Sequence, residues 1–324
     1  MSLHQQQLNC LQDFEHGLDP EWPDRSQIPA RVLGYGEIST VFAIQTEGLE
    51  GLAFKRLPLF HNQLEIDAYQ VSYEEYNRIL QEEIGLRLPG YSHATLVNQT
   101  GRPIFYIIQR QLPSASIGNQ AIHLLPTAMT LTLVRRVISE LYRVWDYNRR
   151  QDHLQVALDG QISNWGIDGF DAGNPHVDGA TTLTCLDTST PLFRVDGVEQ
   201  LNTELFLRSA PSFLAWILRL LFLEDVVSRY YDFRRVTIDL VANFYKEQRP
   251  DLIPPVLDLV NGFFTEEAAE LGIVPIQEKE VRAYYREDAL IWTLYLSFRR
   301  FDRFLQTRLL RREYPYILPG KIKR

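Results

Sequence analysis

Cysteine is scarce in this sequence: Cys10 and Cys185 are the only two in 324 residues, and they lie far apart. A disulfide framework is therefore not expected, and the thiol content fits a reducing compartment. The seven histidines are scattered, with no pair four residues apart and no cysteine cluster beside them. This pattern argues against a zinc site, because zinc needs closely spaced nitrogen and sulfur ligands.

Long apolar runs are also missing. The longest, from Phe213 to Leu223, has 11 residues and contains Arg219. It is too short to span a bilayer and is typical of a buried helix. The N-terminal segment has no apolar core of the signal-peptide type. We therefore expect a cytoplasmic protein without a membrane partner.

Positive charge is scarce except at the C-terminus. The formal net charge is −8, yet residues 299–324 hold nine Lys and Arg against two Asp and Glu, which leaves −15 for the rest. An acidic body argues against nucleic-acid binding, because the phosphate backbone demands a basic surface. We interpret the basic tail as a solvated helix face followed by a mobile end, with an anionic partner as the alternative.

The patterning before residue 112 predicts an N-terminal helix and a small sheet. Leucines at helical spacing precede a proline-rich linker that ends at Pro29. Five strand patterns follow, with one helical pattern from Tyr69 to Ile84 between the third and the fourth. These strands are RVLGYG, STVFAIQ, GLAFKRLPL, HATLVNQ and PIFYIIQRQL.

The patterning changes after Pro113, where helices dominate. A long helix is predicted from Thr127 to Arg150, and short strand-like segments follow it. Further helical patterns cover 212–231, 233–248, 251–264 and 278–312. The sequence therefore predicts an α+β fold of two lobes. Its parts are an N-terminal helix and linker over 1–29, an N-lobe over 30–112 and a C-lobe over 113–324.

Gly34 and Gly36 lie in the segment GYGEIS, between the first two predicted strands. Two close glycines let the backbone approach a phosphate without a Cβ in the way. A plain hairpin turn is the alternative. A Walker A loop is excluded, because no Gly-Lys-Ser/Thr follows and no helix begins there.

Lys55 lies within the apolar strand GLAFKRL. Burying its ammonium group should cost free energy unless an anion meets it, and pointing to solvent from an edge strand is the alternative. The next helix offers Glu74 and Glu75 as partners. We select Glu75 because it shares a helix face with Ile79, although the spacing leaves Glu74 open.

Asp159 and Asn164 form a D-x-x-x-x-N pattern between the long helix and a strand-like run. Such a loop can place a carboxylate to deprotonate a hydroxyl and an amide oxygen to bind Mg²⁺. Asp187 follows an apolar run, and a carboxylate at the end of a buried strand is a natural Mg²⁺ ligand. Turn formation by Asp and Asn is the alternative for each of them.

The order of these motifs indicates a function more strongly than any one of them. A glycine loop, a strand lysine, a helix glutamate, a hairpin, a long helix, D-x-x-x-x-N and a strand-terminal Asp follow one another. In this order, over about residues 30–310, the chain resembles the protein-kinase-like superfamily. It is most similar to the small-molecule branch of aminoglycoside and choline phosphotransferases. The segments LDGQISNW and LDTSTP also resemble signatures of an uncharacterised bacterial subgroup.

The resemblance implies a role for each motif. Asp159 would be the catalytic base, while Asn164 and Asp187 would hold Mg²⁺. ATP would be bound by residues of the N-lobe and of the hinge between the lobes: Gly34, Gly36, Ser39, Lys55, Glu75, Gln109, Arg110 and Gln111.

Four departures from the family pattern are visible. Ser39 replaces the third glycine of the loop, and Ala157 stands where a histidine often supports the catalytic loop. Asp187 is followed by a Thr-Ser pair, where the family has a glycine-containing tripeptide. Residues 165–186 form an insert that we interpret as an exposed hairpin, with a segment that reaches the acceptor as the alternative.

No protein-kinase activation segment follows Asp187, so a small-molecule acceptor is favoured over a protein. We expect transfer of the ATP γ-phosphoryl group to an acceptor hydroxyl, and the acidic body would suit a cationic acceptor. A catalytically inactive nucleotide-binding protein and a nucleotidyl-transferring enzyme are the alternatives. The sequence makes no prediction of the oligomeric state.

Overall fold

The computed structural model describes residues 3–36, 38–208 and 227–320. The first third of the chain folds into a five-stranded antiparallel sheet in the order β1-β2-β3-β5-β4. Its strands are β1 (Ala30–Tyr35), β2 (Thr40–Ile44), β3 (Leu52–Leu57), β4 (Tyr91–Val97) and β5 (Pro103–Arg110). Helix α1 (Gln5–Gly17) precedes the sheet, and helix α2 (Gln63–Arg78) connects β3 to β4.

Both faces of this sheet are covered, which explains why β5 is apolar and buried from Ile104 to Ile108. Successive side chains of a strand point to opposite faces. Along β5, Phe105 and Ile107 pack on the side of α2, whereas Tyr106 and Ile108 pack with Phe14 of α1. Helix α1 is therefore part of the N-lobe core.

The rest of the chain is mostly helical. The helices in its described residues are α3 (Gly118–Ala121), α4 (Thr127–Asn148), α5 (Glu204–Leu207), α6 (Phe233–Lys246), α7 (Ile253–Glu266) and α8 (Glu278–Phe304). The short strands are β6 (Leu154–Val156), β7 (Trp165–Ile167), β8 (Leu183–Cys185), β9 (Phe193–Val195) and β10 (Val198–Glu199). The apolar face of α4 packs into one core with α6 and α7.

The predicted α+β class is confirmed, with a five-stranded antiparallel N-lobe sheet, one main helix after β3 and a mostly helical C-lobe. Strands β7 and β8 pair as a hairpin, as expected for the 165–186 insert. The helix predicted over 212–231 lies largely outside the described residues. Within the described ranges, no helix is both long and apolar enough to cross a membrane.

The segment after α8 returns to the N-lobe. A π-helical turn follows from Leu305 to Leu309, and the chain then buries Tyr314, Tyr316, Ile317 and Leu318 among the residues that cover the sheet. The expectation of a mobile C-terminal end is therefore wrong for residues 314–318. The reason is that aromatic and aliphatic side chains interrupt the basic tail, and burying them is favourable.

A buried ion pair ties both ends of the chain to the sheet. Arg56 of β3 donates two hydrogen bonds to the Glu15 carboxylate of α1, at 2.6 and 2.8 Å. It also donates to the Pro315 carbonyl at 2.6 Å, and the Tyr106 hydroxyl donates to Glu15. Arg56 and Glu15 are 2% and 3% exposed, so each charge depends on its partners for stabilisation.

Replacing Arg56 with Met should destabilise the fold by about 3 kcal/mol or more, because it leaves the Glu15 carboxylate buried without its cation. The double change Glu15→Gln with Arg56→Met should recover part of that loss, since no charge is then left unpaired. Chemical denaturation measures the free energy of unfolding of each variant. A loss below about 1 kcal/mol for Arg56→Met, typical of an exposed pair, would contradict this account.

Candidate functional site

A cavity of about 390 Å³ lies between the sheet and the helical lobe. It receives residues from the turn between β1 and β2, from the loop before β7, from the loop after β8, and from helices α6 and α8. Among the lining residues are one glycine and five polar side chains from these segments: Gly36, Ser39, Asp159, Asn164, Asp187 and Asp239.

Lys55 of β3 does not itself line this cavity, but it bonds to two residues that do, Asp187 and Ser189. Its ammonium group donates to Asp187 Oδ1 at 2.6 Å and to the Ser189 hydroxyl at 3.0 Å. Burial would raise the pKa of Asp187, but the Lys55 charge and hydrogen bonds from Lys55 and Ser189 lower it on balance. The structure therefore brings Lys55 and Asp187, which the sequence assigned to one site, into direct contact.

The predicted pairing of Lys55 with Glu75 is wrong. Glu75 forms a bidentate ion pair with Arg78 at 2.8 and 2.9 Å on the outer side of α2. The alternative, Glu74, accepts a hydrogen bond from Gln70 on the same exposed side. Both glutamates point away because consecutive residues lie about 100° apart around a helix, and the inward face is occupied by tyrosines.

The inward face of α2 carries Tyr69, Tyr73 and Tyr76, all buried. The Tyr69 hydroxyl donates to the Ser189 carbonyl and the Tyr76 hydroxyl donates to the Ala157 carbonyl, each at 2.7 Å. The sequence analysis did not predict that these tyrosines donate hydrogen bonds to the loops at the cavity. Their spacing of four and three residues, which places them on one helix face, was the available signal.

Asp159 lies in a tight turn at the base of the cavity. Its Oδ1 accepts a hydrogen bond from the backbone N–H of Gln161 at 3.1 Å, as in an Asx-turn. The next residue must be small, because a Cβ at Gly160 would lie 2.6 Å from Val236 of α6. The glycine thus lets the turn lie directly against α6.

The pKa of Asp159 is raised. Burial is the main cause and the Asp187 carboxylate adds to it, while hydrogen bonds from the Gln161 backbone and the Asn164 side chain oppose it. Asn164 also lines the cavity, and its backbone carbonyl accepts from the Leu186 N–H at 2.8 Å, next to Asp187. The structure therefore places Asp159, Asn164 and Asp187 at one cavity, and their roles stay a prediction.

The glycine loop is only partly at the cavity. Gly36 and Ser39 line it, and the Gly36 N–H donates to the Ser39 carbonyl at 3.0 Å. A Cβ at Gly36 would lie 2.8 Å from the Ser39 hydroxyl, so a larger residue there would require this side chain to rotate. Gly34 instead lies within β1, opposite Val41 at a register shift. Glu37 falls outside the described residues.

The predicted hinge residues lie at the end of β5. Gln109 and Arg110 pair with β3, and the Gln111 N–H donates to the Gly51 carbonyl at 2.8 Å. In the described part of the chain, none of the three lines the cavity. The structure thus leaves their predicted contact with adenine as a prediction.

Two charged residues of α6 face the cavity and were not predicted. Lys246 donates to the Gln161 side-chain oxygen at 3.1 Å, which places its ammonium group beside the Asp159 turn. Burial and the nearby Asp159 carboxylate raise the pKa of Asp239 to about 7. The signal for Asp239 was a lone carboxylate in the apolar helical run VTIDLVANF.

The chain belongs to the family of unknown function DUF6206, whose family model matches residues 23–303. None of the curated proteins matches it.

Three solved structures are similar to this chain at low identity. WaaP in complex with acyl carrier protein is 13% identical, with a TM-score of 0.30 over 81% of this chain and 88% of that one. The GDP complex of aminoglycoside 2'-phosphotransferase-IIIa is 10% identical, with a TM-score of 0.33 over 79% of this chain and 97% of that one. The kinase domain of Mycobacterium tuberculosis PknI is 13% identical, with a TM-score of 0.29 over 64% of this chain and 87% of that one. TM-scores of this size leave the function to be inferred from the residues of this chain.

Replacing Asp239 with Asn should change how stability depends on pH. The raised pKa means that the folded state binds the Asp239 proton more tightly than the unfolded state, so this group lowers stability as the pH rises from the ordinary carboxyl value of 3.8 to about 7, and the loss is constant above that. The Asn variant should therefore gain stability relative to the wild type between about pH 5 and pH 8. Thermal unfolding at both pH values measures this, with the exposed Asp258→Asn as the control. A parallel pH profile for wild type and Asp239→Asn would refute the assignment.

Proposed function

We propose that this protein is an ATP-dependent phosphotransferase that transfers the γ-phosphoryl group to a hydroxyl of a small molecule. The carrying observation is the meeting of three separate segments at one cavity. These are the Gly36 turn, the Asp159–Asn164 loop and Asp187, the last bonded to Lys55. Positioning and charge neutralisation are the main requirements of phosphoryl transfer, and this arrangement supplies groups for both.

The nucleotide phosphates would lie between the Gly36 turn and the cations of the cavity. Lys55 is held in place by Asp187 and Ser189, and it can contact phosphate oxygens from the sheet side. Lys246 approaches from α6, and its observed partner is the neutral oxygen of Gln161. Two lysines on opposite sides would neutralise part of the charge on a triphosphate.

Asp187 and Asn164 fit a magnesium site that is completed by the nucleotide. Mg²⁺ commonly takes one or two carboxylates together with phosphate oxygens and water. When bound, Mg²⁺ would supply positive charge to the phosphates.

Asp159 would accept the proton of the acceptor hydroxyl. It lies on the cavity wall, and the Gln161 N–H fixes its orientation. Its raised pKa favours proton uptake, because a carboxylate with a higher pKa is a stronger base. Lys246, beside the same turn, would balance negative charge that develops on the transferred group.

The other wall of the cavity suits a cationic acceptor. Asp239 lies close enough to Asp159 for that carboxylate to raise its pKa, and aromatic residues surround it. The residues on this wall are Tyr230, Asp239, Tyr284, Asp288 and Trp292. Carboxylates and aromatic faces together attract ammonium groups.

A second candidate is a nucleotide-binding protein without phosphotransfer, and one observation favours it. Asp187 Oδ1 already accepts from Lys55, from the Ser189 hydroxyl at 2.8 Å and from the Ser189 N–H at 3.1 Å. An oxygen with three donors is a poor metal ligand until one of them moves. Magnesium dependence separates the two candidates.

ATP should stabilise the wild type against thermal unfolding, and more strongly with Mg²⁺ than without. Ligand at 100 times its Kd adds about 2.7 kcal/mol, which corresponds to a rise of several degrees in Tm. Asp187→Ala should lose the magnesium-dependent part of this rise. Equal Tm values with and without Mg²⁺ in the wild type would favour the second candidate, and no response to ATP would refute both.

Replacing Asp159 with Asn should lower turnover about 100-fold or more while ATP binding stays largely intact, because the amide cannot accept the proton. Transfer of label from γ-³²P ATP to a panel of hydroxyl-bearing amines measures turnover, and calorimetry measures ATP binding. Asp258→Asn, exposed on α7, is the matched control. Wild-type turnover in Asp159→Asn would remove Asp159 from the role of base.

A further inference from the structure

We propose that the tyrosine face of α2, formed by Tyr69, Tyr73 and Tyr76, positions the two segments that carry the catalytic base and the metal ligands. This inference rests on the proposed function. It assigns a positioning role to tyrosines of this helix, whereas the sequence assigned to a glutamate of the same helix the pairing with Lys55.

Tyr76 holds the segment that leads into Asp159. Its hydroxyl donates to the Ala157 carbonyl at 2.7 Å, and both residues are buried. Ala157 stands two residues before Asp159, at the position where a supporting histidine is missing from the sequence. Tyr76 therefore adds a hydrogen bond from α2 to a loop that is otherwise held by residues such as Asn148 and Asn243.

Tyr69 holds the segment that follows Asp187. Its hydroxyl donates to the Ser189 carbonyl at 2.7 Å, while the Ser189 side chain contacts both Asp187 and Lys55. Tyr69 is fixed in turn by Phe60 and Phe105, with ring centroids 5.2 and 5.6 Å away. A displaced Tyr69 would thus shift the backbone that orients Asp187.

Tyr73 lies between these two contacts. Its ring stacks on Tyr69 with centroids 6.0 Å apart, and the pKa of its hydroxyl is sensitive to the nearby Thr188 side chain. Thr188 is itself buried and directly follows Asp187. One helix therefore holds residues 157 and 189 by hydrogen bonds, which positions Asp159 and Asp187 relative to each other.

The hydroxyl groups, more than the rings, carry this role. A phenylalanine would fill the same space, but it would leave the Ala157 or Ser189 carbonyl buried without its donor. The segment would then move to find another partner. The consequence would be a displaced carboxylate in a protein that is otherwise folded.

The test compares Tyr69→Phe and Tyr76→Phe with Tyr147→Phe, which removes a buried tyrosine hydroxyl that donates to Glu83, away from the cavity. Calorimetry gives the Kd of ATP with and without Mg²⁺ for each protein. The Kd without Mg²⁺ divided by the Kd with Mg²⁺ reports on Asn164 and Asp187. A general loss of stability does not change this ratio. Both site variants should lower this ratio about fivefold or more, while Tyr147→Phe keeps the wild-type ratio.

Each outcome is informative. A wild-type ratio in both Tyr69→Phe and Tyr76→Phe would overturn the inference and leave the proposed function intact. An equal decrease in Tyr147→Phe would overturn it too, because the effect would then be one of packing. Absence of magnesium-dependent binding in the wild type would refute the proposed function, and the inference with it. If one site variant fails to fold, the other decides.

Discussion

The hydrogen-bonded ion pair between Lys55 and Asp187 is the contact on which the arrangement of the cavity depends. It joins the third strand of the sheet to the loop after β8, two segments more than 130 residues apart in the chain. Ser189 closes this contact into a triangle by bonding to both charged groups. Because an isolated charge at a half-buried position is costly, the pair holds β3 next to the loop after β8. The cavity lies beside this contact and is lined by Asp187.

Much of the fold could be predicted from the sequence because the hydrophobic pattern decides it. The apolar run of β5 predicts a strand with two covered faces, and the stripe along α4 predicts a helix on a core. The position of Glu75 could not be predicted in the same way. A difference of one position turns a side chain by about 100°, so the spacing alone does not show whether Glu74 or Glu75 faces Lys55, or whether neither does.

The part of the candidate site that could be predicted from the sequence consists of residues that both form a turn and line the cavity. Asp159 and Asp187 each accept a hydrogen bond from the backbone N–H two residues later, so both form the turns that were the alternative interpretation. The same carboxylates lie at the cavity. Turn formation and site formation are therefore compatible in this chain. By contrast, Asp239 and Lys246 come to the cavity only through packing of α6 against Gly160, which no local pattern reveals.

Strand β3 carries two consecutive cationic residues whose side chains lie on opposite faces of the sheet. Lys55 leaves the sheet towards the cavity, and Arg56 leaves it towards Glu15 on the other face. A slip of β3 by one residue would exchange the two faces, leaving both carboxylates without their proper cations and exposing apolar neighbours. Only one alignment of this strand satisfies both ion pairs. The Arg56–Glu15 pair on one face of the sheet therefore fixes the register of β3, and this register places Lys55 on the opposite face, where it meets Asp187.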